Sequence, residues 1–218
     1  MAIATYNDLA AAIKVWAARS DSVFSNQIET FVGMHEDRMY NGSGSGPSDP
    51  LQCDALAARE METTATVVIT AGTGTMPNSI SSVRTIRRSG DKVGLDYMTP
   101  RQFALFDANA TSGNPGYWTV ENLNLKITPS YTGNILVNYF ASFAAISVNT
   151  QSNALLTAYP RLYLTGCLFE AFSFLQDVEL AMGHFARYRA LVSGINQSAN
   201  SARFGGGPLK IRTRQAMP

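Results

Sequence analysis

The sequence predicts an α+β fold: an antiparallel-type helical bundle formed by N- and C-terminal helices, a β-rich insertion between them, and an extended C-terminal arm. Apolar residues recur at helical spacing near both ends of the chain and alternate at strand spacing in the middle. The last sixteen residues combine glycine, proline and alternating basic and apolar side chains. The predicted domains are a bundle of residues 1–58 and 150–202, an insertion of 59–149, and an arm of 203–218.

The first predicted helix begins at a capping box. Thr5 and Asp8 have the spacing at which a hydroxyl and an acid satisfy the first free N–H groups of a helix. Apolar residues then follow at intervals of three and four, which places Leu9, Ile13 and Trp16 on one buried face.

A second helix is predicted over residues 27–40, with His35 among the apolar side chains of its buried face. The Gly/Ser-rich segment 41–50 follows, and its composition predicts a flexible loop that ends the helix.

Strand-like alternation begins near residue 59 and continues to about residue 142. Thr99-Pro100 interrupts it with a short helix, because proline is favoured at the first helical position. Glu121-Asn122 predicts a tight hairpin. The predicted strands are 61–69, 82–88, 94–98, 117–121, 123–128 and 134–142.

Three helices are predicted after residue 149: one near Leu155, one after Pro160, and one that presents Val178 and later apolar residues to the core. Phe172 and Phe185 lie in the apolar stripes of the last two, so we expect both in the core of the bundle.

Composition and charge limit the functional classes. The chain has 17 basic and 16 acidic residues, and only 15% of its residues are charged, against roughly 25% in an average soluble domain. Near-neutral charge argues against tight nucleic-acid binding, which depends on clustered cations. Cys53 and Cys167 are predicted to be buried free thiols. No signal peptide and no membrane span is predicted, so we expect a soluble protein made in a cytoplasm.

The sequence predicts no catalytic, cofactor or metal site. His35, Glu36 and Asp37 are consecutive on a helix, so their side chains diverge and cannot share one ion. Gly72-Thr73-Gly74 lacks the third glycine of a dinucleotide site, and the glycine triplet 205–207 lacks the Lys-Ser/Thr of a phosphate loop.

One basic cluster stands out in the insertion. Arg84, Arg87 and Arg88 form either a contact site for a partner or a solvated hairpin tip. The sequence alone favours the hairpin tip, because Ser89-Gly90-Asp91 follows directly.

The arm carries four of the basic residues and no acid. Glycine and proline exclude a regular helix there, and the alternation after them is that of a strand. Such a segment cannot bury enough of its own apolar surface to fold alone, so we expect it to become ordered on a partner. The candidate binding residues are Arg203, Phe204, Pro208, Leu209, Lys210, Ile211, Arg212 and Arg214.

Seven segments in this order resemble the head–tail adaptor proteins of short-tailed bacteriophages, the tail tubular protein A or gatekeeper type. The likeness extends over nearly the whole chain, and the most specific segment is the strand entry at 59–66. The segments, as they stand here, are TYNDL with Trp16, REMETTAT (59–66), LDYMTPRQ (95–102), GYWT with LNL and Pro129 (116–129), YFA (139–141), PRLYLTGCLFEA (160–171) and PLKIR (208–212).

The resemblance implies a structural virion protein without enzymatic activity or cofactor. It implies a ring, expected to hold twelve copies, below the portal protein and above a nozzle-type tail protein, with genomic DNA in transient contact as it passes through the channel. The location implied is the head–tail interface of the virion, which is assembled in the cytoplasm of the bacterial host. The resemblance also implies that the arm binds the portal.

Two other hypotheses remain open at this point. One is a nucleic-acid-binding module, in which Arg84, Arg87, Arg88 and the arm contact phosphates. The other is a head-completion stopper or tail-tube subunit. The distribution of positive charge separates the first from an adaptor, because a DNA-binding surface needs several cations on one ordered face.

Overall fold

The computed structural model describes residues 3–46, 48–107 and 113–203. It has an α+β fold, which confirms the predicted class. The chain divides into two compact units: residues 1–59 with 145–218, here called the helical unit, and residues 60–144, called the β unit.

The helical unit begins with two helices, α1 (Tyr6–Trp16) and α2 (Ser22–Asn41). The predicted capping box is confirmed, since the Asp8 N–H donates to Thr5 Oγ1 and the Thr5 N–H donates to Asp8 Oδ2. The prediction was wrong for Trp16, which is 58% exposed in the last turn of α1 while Leu9 and Ile13 are buried. Helical spacing alone does not separate Trp16 from Ala17, the next residue, which is buried.

Helix α2 starts five residues earlier than the sequence predicted. Asp21 caps it by accepting a hydrogen bond from the Phe24 N–H at 3.0 Å, a signal that the sequence reading treated as a break. His35 lies on the buried face as predicted.

The segment after α2 is held in place rather than free, which corrects the prediction of a flexible loop over the residues that the structure describes there. Ser43 and Cys53 exchange two backbone hydrogen bonds of 2.8 and 2.9 Å. Ser43 and Cys53 thus close a loop, and inside it the Asp49 carboxylate accepts hydrogen bonds from the N–H groups of Ser45 and Leu51. Pro47 lies outside the described residues.

The C-terminal part of the helical unit contains α4 (Ala154–Ala158), α5 (Pro160–Phe174) and α6 (Val178–Arg203). Ring contacts pair Phe169 with Phe185 and Phe172 with His184, so α5 and α6 run antiparallel on either side of a short turn. Both predicted core residues, Phe172 and Phe185, are buried. Val178 is 72% exposed, so its predicted place in the core was wrong.

A short 3-10 helix at Arg59–Met61 spans the boundary between the units, and the β unit contains one α-helix, α3 (Pro100–Asp107), and two sheets. The first sheet has the order β1-β7-β3 and is antiparallel. The second has the order β2-β6-β5-β4, in which only β4 is parallel to its neighbour. The strands are β1 (Glu62–Ile69), β2 (Thr73–Thr75), β3 (Ile80–Arg88), β4 (Asp96–Tyr97), β5 (Tyr117–Glu121), β6 (Asn124–Thr128) and β7 (Gly133–Ala141).

An apolar core fills the β unit, and apart from Met76, which follows β2, its members come from alternate positions of the strands. They are Val67, Ile69, Met76, Ile86, Leu125, Ile127, Ile135, Val137 and Tyr139. Helix α3 packs on β5 and β6 with Phe103 buried. The predicted hairpin between β5 and β6 is present one residue later, because Glu121 pairs with Asn124 and the two turn residues are Asn122 and Leu123.

Candidate interaction surface

The interior of the helical unit contains polar groups that join its helices. The Glu36 Oε1 atom accepts hydrogen bonds from the Tyr163 hydroxyl at 3.0 Å and from the Ile146 N–H at 3.2 Å. Asn153 donates to the same tyrosine oxygen at 2.9 Å and caps α4 through the Leu156 N–H. Burial raises the pKa of Glu36, while the hydrogen bonds from Ile146, Tyr163 and Asn153 lower it. This network ties α2 to α4 and α5.

A buried ion pair links α2 to α5. Arg38 pairs with Glu170, and its guanidinium carbon lies 4.5 Å from the centre of the Phe169 ring. Burial raises the pKa of Glu170, and Arg38 partly offsets that rise. The pair is enclosed, so its role is to fix how the two helices align.

His35 is a fully buried ionisable group of the helical unit. Its ring lies edge-on between Tyr163 and Tyr188, with centroids 5.0 and 5.3 Å away, and a β-carbon on Gly166 would overlap it. Burial lowers the pKa of His35 to about 3, and the positive charge of Arg38 adds to that effect. The histidine is therefore neutral and packed, where no substrate can reach it.

Asp37 is exposed while its neighbours His35 and Glu36 are buried, so the three consecutive residues point apart. In the described part of the chain, no group of three potential metal ligands comes together. Over the same residues, no helix is both long and apolar enough to cross a membrane.

The three arginines of the predicted basic cluster lie on β3 but have different surroundings. Arg84 pairs with Glu62 of β1 and lies over the Phe140 ring. Arg88 pairs with Asp91 at 2.8 Å and donates to Asn114. Arg87 is exposed, next to Lys92 in a shallow groove of about 300 Å³. Two of the three charges are thus balanced within the β unit, and the structure does not assemble a three-arginine face.

The predicted arm lies almost wholly beyond the described residues. Arg203 is the last residue of α6, and Phe204, Pro208, Leu209, Lys210, Ile211, Arg212 and Arg214 lie outside the part of the chain that the structure describes.

A second surface, which the sequence reading missed, is a groove of about 420 Å³ in the helical unit. Trp16 and apolar side chains of α5 and α6 line it, and Arg161 and Arg187 stand at its sides. Among the described residues, neither arginine has an acidic partner within ion-pair distance. The lining residues are Trp16, Arg161, Leu164, Thr165, Leu168, His184, Arg187, Ala190 and Leu191.

One signal could have revealed this groove in the sequence. Arg161, Leu164, Thr165 and Leu168 share one helical face, and a basic residue on an apolar face is uncommon in a core. The apolar spacing of Leu164 and Leu168 alone indicates the core, and the signal of the groove is the arginine on the same stripe.

The family model described as SU10 adaptor protein matches residues 4–212. The chain belongs to the SU10 adaptor protein family. This is a family of structural phage proteins, so the protein is a bacteriophage adaptor and a virion component. A comparison with curated proteins found no match. The match extends beyond Arg203 and includes the PLKIR segment of the arm.

Proposed function

We propose that this SU10 adaptor forms a ring, of twelve copies, that binds the portal protein on one side and a nozzle-type tail protein on the other. In this proposal the ring lines the channel for the genome and acts as a gatekeeper-type connector of the tail tubular protein A kind. The observation that carries the proposal is the family match over residues 4–212, since an adaptor must contact both head and tail components.

Three paired cations of the β unit support a channel wall rather than a DNA-binding surface. Arg84, Arg88 and Lys126 of the β unit each pair with a carboxylate of the same unit. Cations that are balanced in this way release few counterions on meeting DNA, so they contribute little to affinity. DNA can then pass without being held.

We propose that the arm, residues 203–218, attaches the adaptor to the portal. Its local charge steers it to an acidic surface. Its alternating side chains suit strand addition, in which backbone hydrogen bonds provide affinity and pockets accept Leu209 and Ile211. The arm follows directly on α6, which places its start at the end of the bundle's longest helix.

The test is electron microscopy of the purified protein with and without portal. We expect rings on portal and monomers without it. A variant that ends at Arg203 keeps all of α6 and should retain the melting temperature but lose portal binding. The matched control keeps the full length and replaces Lys210, Arg212 and Arg214 with Gln, which removes the charge while keeping the backbone and the apolar side chains.

If the truncated protein binds portal as the full chain does, the arm is not the attachment element. If neither protein binds portal, the ring proposal itself is wrong. Filter binding to DNA at physiological salt tests the nucleic-acid alternative, because sub-micromolar affinity there would favour a DNA-binding module. Rings that bind a preassembled portal–adaptor complex, and not portal alone, would favour a stopper.

A further inference from the structure

The groove described above combines exposed apolar surface with unbalanced positive charge. Trp16 exposes more than half of its surface beside Leu164 and Leu191. Arg161 of α5 and Arg187 of α6 line the groove together with these apolar residues. A surface of this kind fits a partner that presents an apolar side chain next to an acid.

The same chain carries a surface of that chemistry at the turn between α5 and α6. Phe174 is 45% exposed and Val178 is 72% exposed. Glu179 follows Val178 and is exposed, and no basic side chain of the described residues lies within ion-pair distance of it. Asp177 caps α6 by accepting from the Leu180 N–H at 3.1 Å, which fixes this turn. We call Phe174, Val178 and Glu179 the knob.

The knob and the groove of one molecule cannot meet. Val178 and Arg187 are nine positions apart on α6, which at 100° per residue places them on opposite sides of the helix. Glu179 lies only about 80° around the helix from Arg187, but the two are eight positions, or about 12 Å, apart along the helix axis, which is too far for an ion pair. Any pairing between them must therefore join two molecules.

Two complementary surfaces that cannot meet within one molecule are what the contact between neighbours in a ring uses. In a heterologous contact, one face of each copy meets a different face of the next, and the contact repeats until the ring closes. A symmetric dimer could pair both surfaces only if the knob and the groove lay side by side on one face of the molecule, and Val178 points away from Arg187. Charge complementarity thus favours a second copy of this chain as the occupant of the groove.

We propose that the knob of one copy docks in the groove of the next, with Val178 against Trp16 and Glu179 beside Arg161 and Arg187. This rests on the proposed ring and deepens it by assigning the contact between neighbours. The two arginines then have an acidic partner, and the exposed apolar residues of both surfaces are buried.

Charge reversal tests the pairing. Glu179→Arg and Arg187→Glu should each lower the yield of rings on portal at least tenfold, since each places like charges together. The double variant should restore the yield to within a few fold of the wild type. Glu29→Arg on α2 and Arg101→Glu in the β unit reverse exposed charges elsewhere and serve as matched controls, which should assemble normally.

Disulfide trapping gives a second measurement that does not need the portal. Val178→Cys with Leu164→Cys places one thiol on the knob and one in the groove. Oxidation at high protein concentration should give a ladder of linked copies, whereas either single variant should stop at dimers. The native Cys53 and Cys167 are buried, so they add little background.

The outcomes separate this inference from the proposed function. If the wild type forms no ring on portal but the ladder appears, the knob–groove contact holds and the ring proposal fails. If rings form while both the reversals and the ladder show nothing, the knob–groove contact is wrong and another interface closes the ring. If Arg187→Glu leaves assembly intact and lowers binding to DNA, the groove takes nucleic acid and the inference is overturned. Absence of both rings and ladder also overturns it.

Discussion

Among the described residues, the helical unit buries ionisable side chains, whereas the buried polar side chains of the β unit are the neutral Thr119 and Thr128. The helical unit encloses His35, Glu36 and the pair Arg38–Glu170, all joined to or packed against neighbouring helices. The core cluster of the β unit consists of apolar side chains and one tyrosine. Its ion pairs, such as that of Arg84 with Glu62, lie at partly exposed positions.

This difference follows from how each unit fixes the alignment of its elements. In the β unit, backbone hydrogen bonds set the register of neighbouring strands, so apolar side chains need only fill the space. No backbone ladder joins one helix to another, and apolar contact alone tolerates sliding. We infer that the buried polar pairs and the close contact at Gly166 specify the alignment of the helices.

The largest expected effect compares the two arginine pairs. Arg38→Met should lower the free energy of unfolding by about 3 kcal/mol, because Glu170 is left buried without its partner. Arg84→Met in the β unit should lower it by less than about 1 kcal/mol, since its pair is partly exposed. Urea unfolding followed by circular dichroism measures both. The double variant Arg38→Met, Glu170→Met should be close to the wild type, and equal losses from the two single variants would refute the comparison.

The second largest effect is expected where Gly166 packs closely against His35. Gly166→Ala should destabilise the protein by about 2–3 kcal/mol, because the new methyl group overlaps a ring held between two tyrosines. Gly183→Ala on α6 is the control, since no atom lies near its position and alanine is the better helix former. We expect the control to gain up to about 1 kcal/mol by thermal unfolding. A Gly166→Ala variant as stable as the wild type would show that the helices can shift apart at no cost.

Acid should weaken the helical unit through His35. Its folded-state pKa of about 3 lies below the unfolded value of about 6.5, so the stabilisation is complete above pH 6.5 and is lost as pH falls towards 3. At pH 5 the loss in the free energy of unfolding amounts to about 2 kcal/mol. The raised pKa values of Glu36 and Glu170 act in the opposite direction, so the measurement is a difference between proteins.

Between pH 7 and 5, the wild type should lose about 2 kcal/mol more than His35→Gln. The Trp16→Phe background leaves Trp118 of β5 as the sole tryptophan, and its fluorescence reports on the β unit. In that background, we expect the unfolding transition of the β unit to lose the same free energy between pH 7 and 5 whether residue 35 is His or Gln. Identical pH profiles for the wild type and His35→Gln would mean that the histidine is solvated.

The smallest expected effect concerns a turn of the β unit. Leu123 has a φ of 62° in the hairpin between β5 and β6, a conformation that glycine adopts without strain. Leu123→Gly should stabilise the β unit by up to about 1 kcal/mol, as measured by Trp118 fluorescence in urea. Leu123→Ala keeps the strain and is the control. Equal stability of the two variants would show that the backbone strain at this position is negligible.

The sequence by itself determined most of the local structure. The capping box at Thr5, the strand alternation before Ile69, the helix after Pro100 and the apolar stripes containing Phe172 and Phe185 all follow from interactions within a few residues. Such interactions are encoded in spacing, which is why periodicity found them. The order of motifs also indicated a phage adaptor, and the family match confirms that.

Only the tertiary structure decided which apolar and charged side chains meet solvent. Trp16 and Val178 have the same helical spacing as buried neighbours, yet both are more than half exposed, while Ala17 directly after Trp16 is buried. Arg38 and Glu170 are 132 positions apart, and no periodicity relates them. Burial depends on which elements pack together, and that depends on the sum of many weak contacts between distant segments, which no local pattern contains.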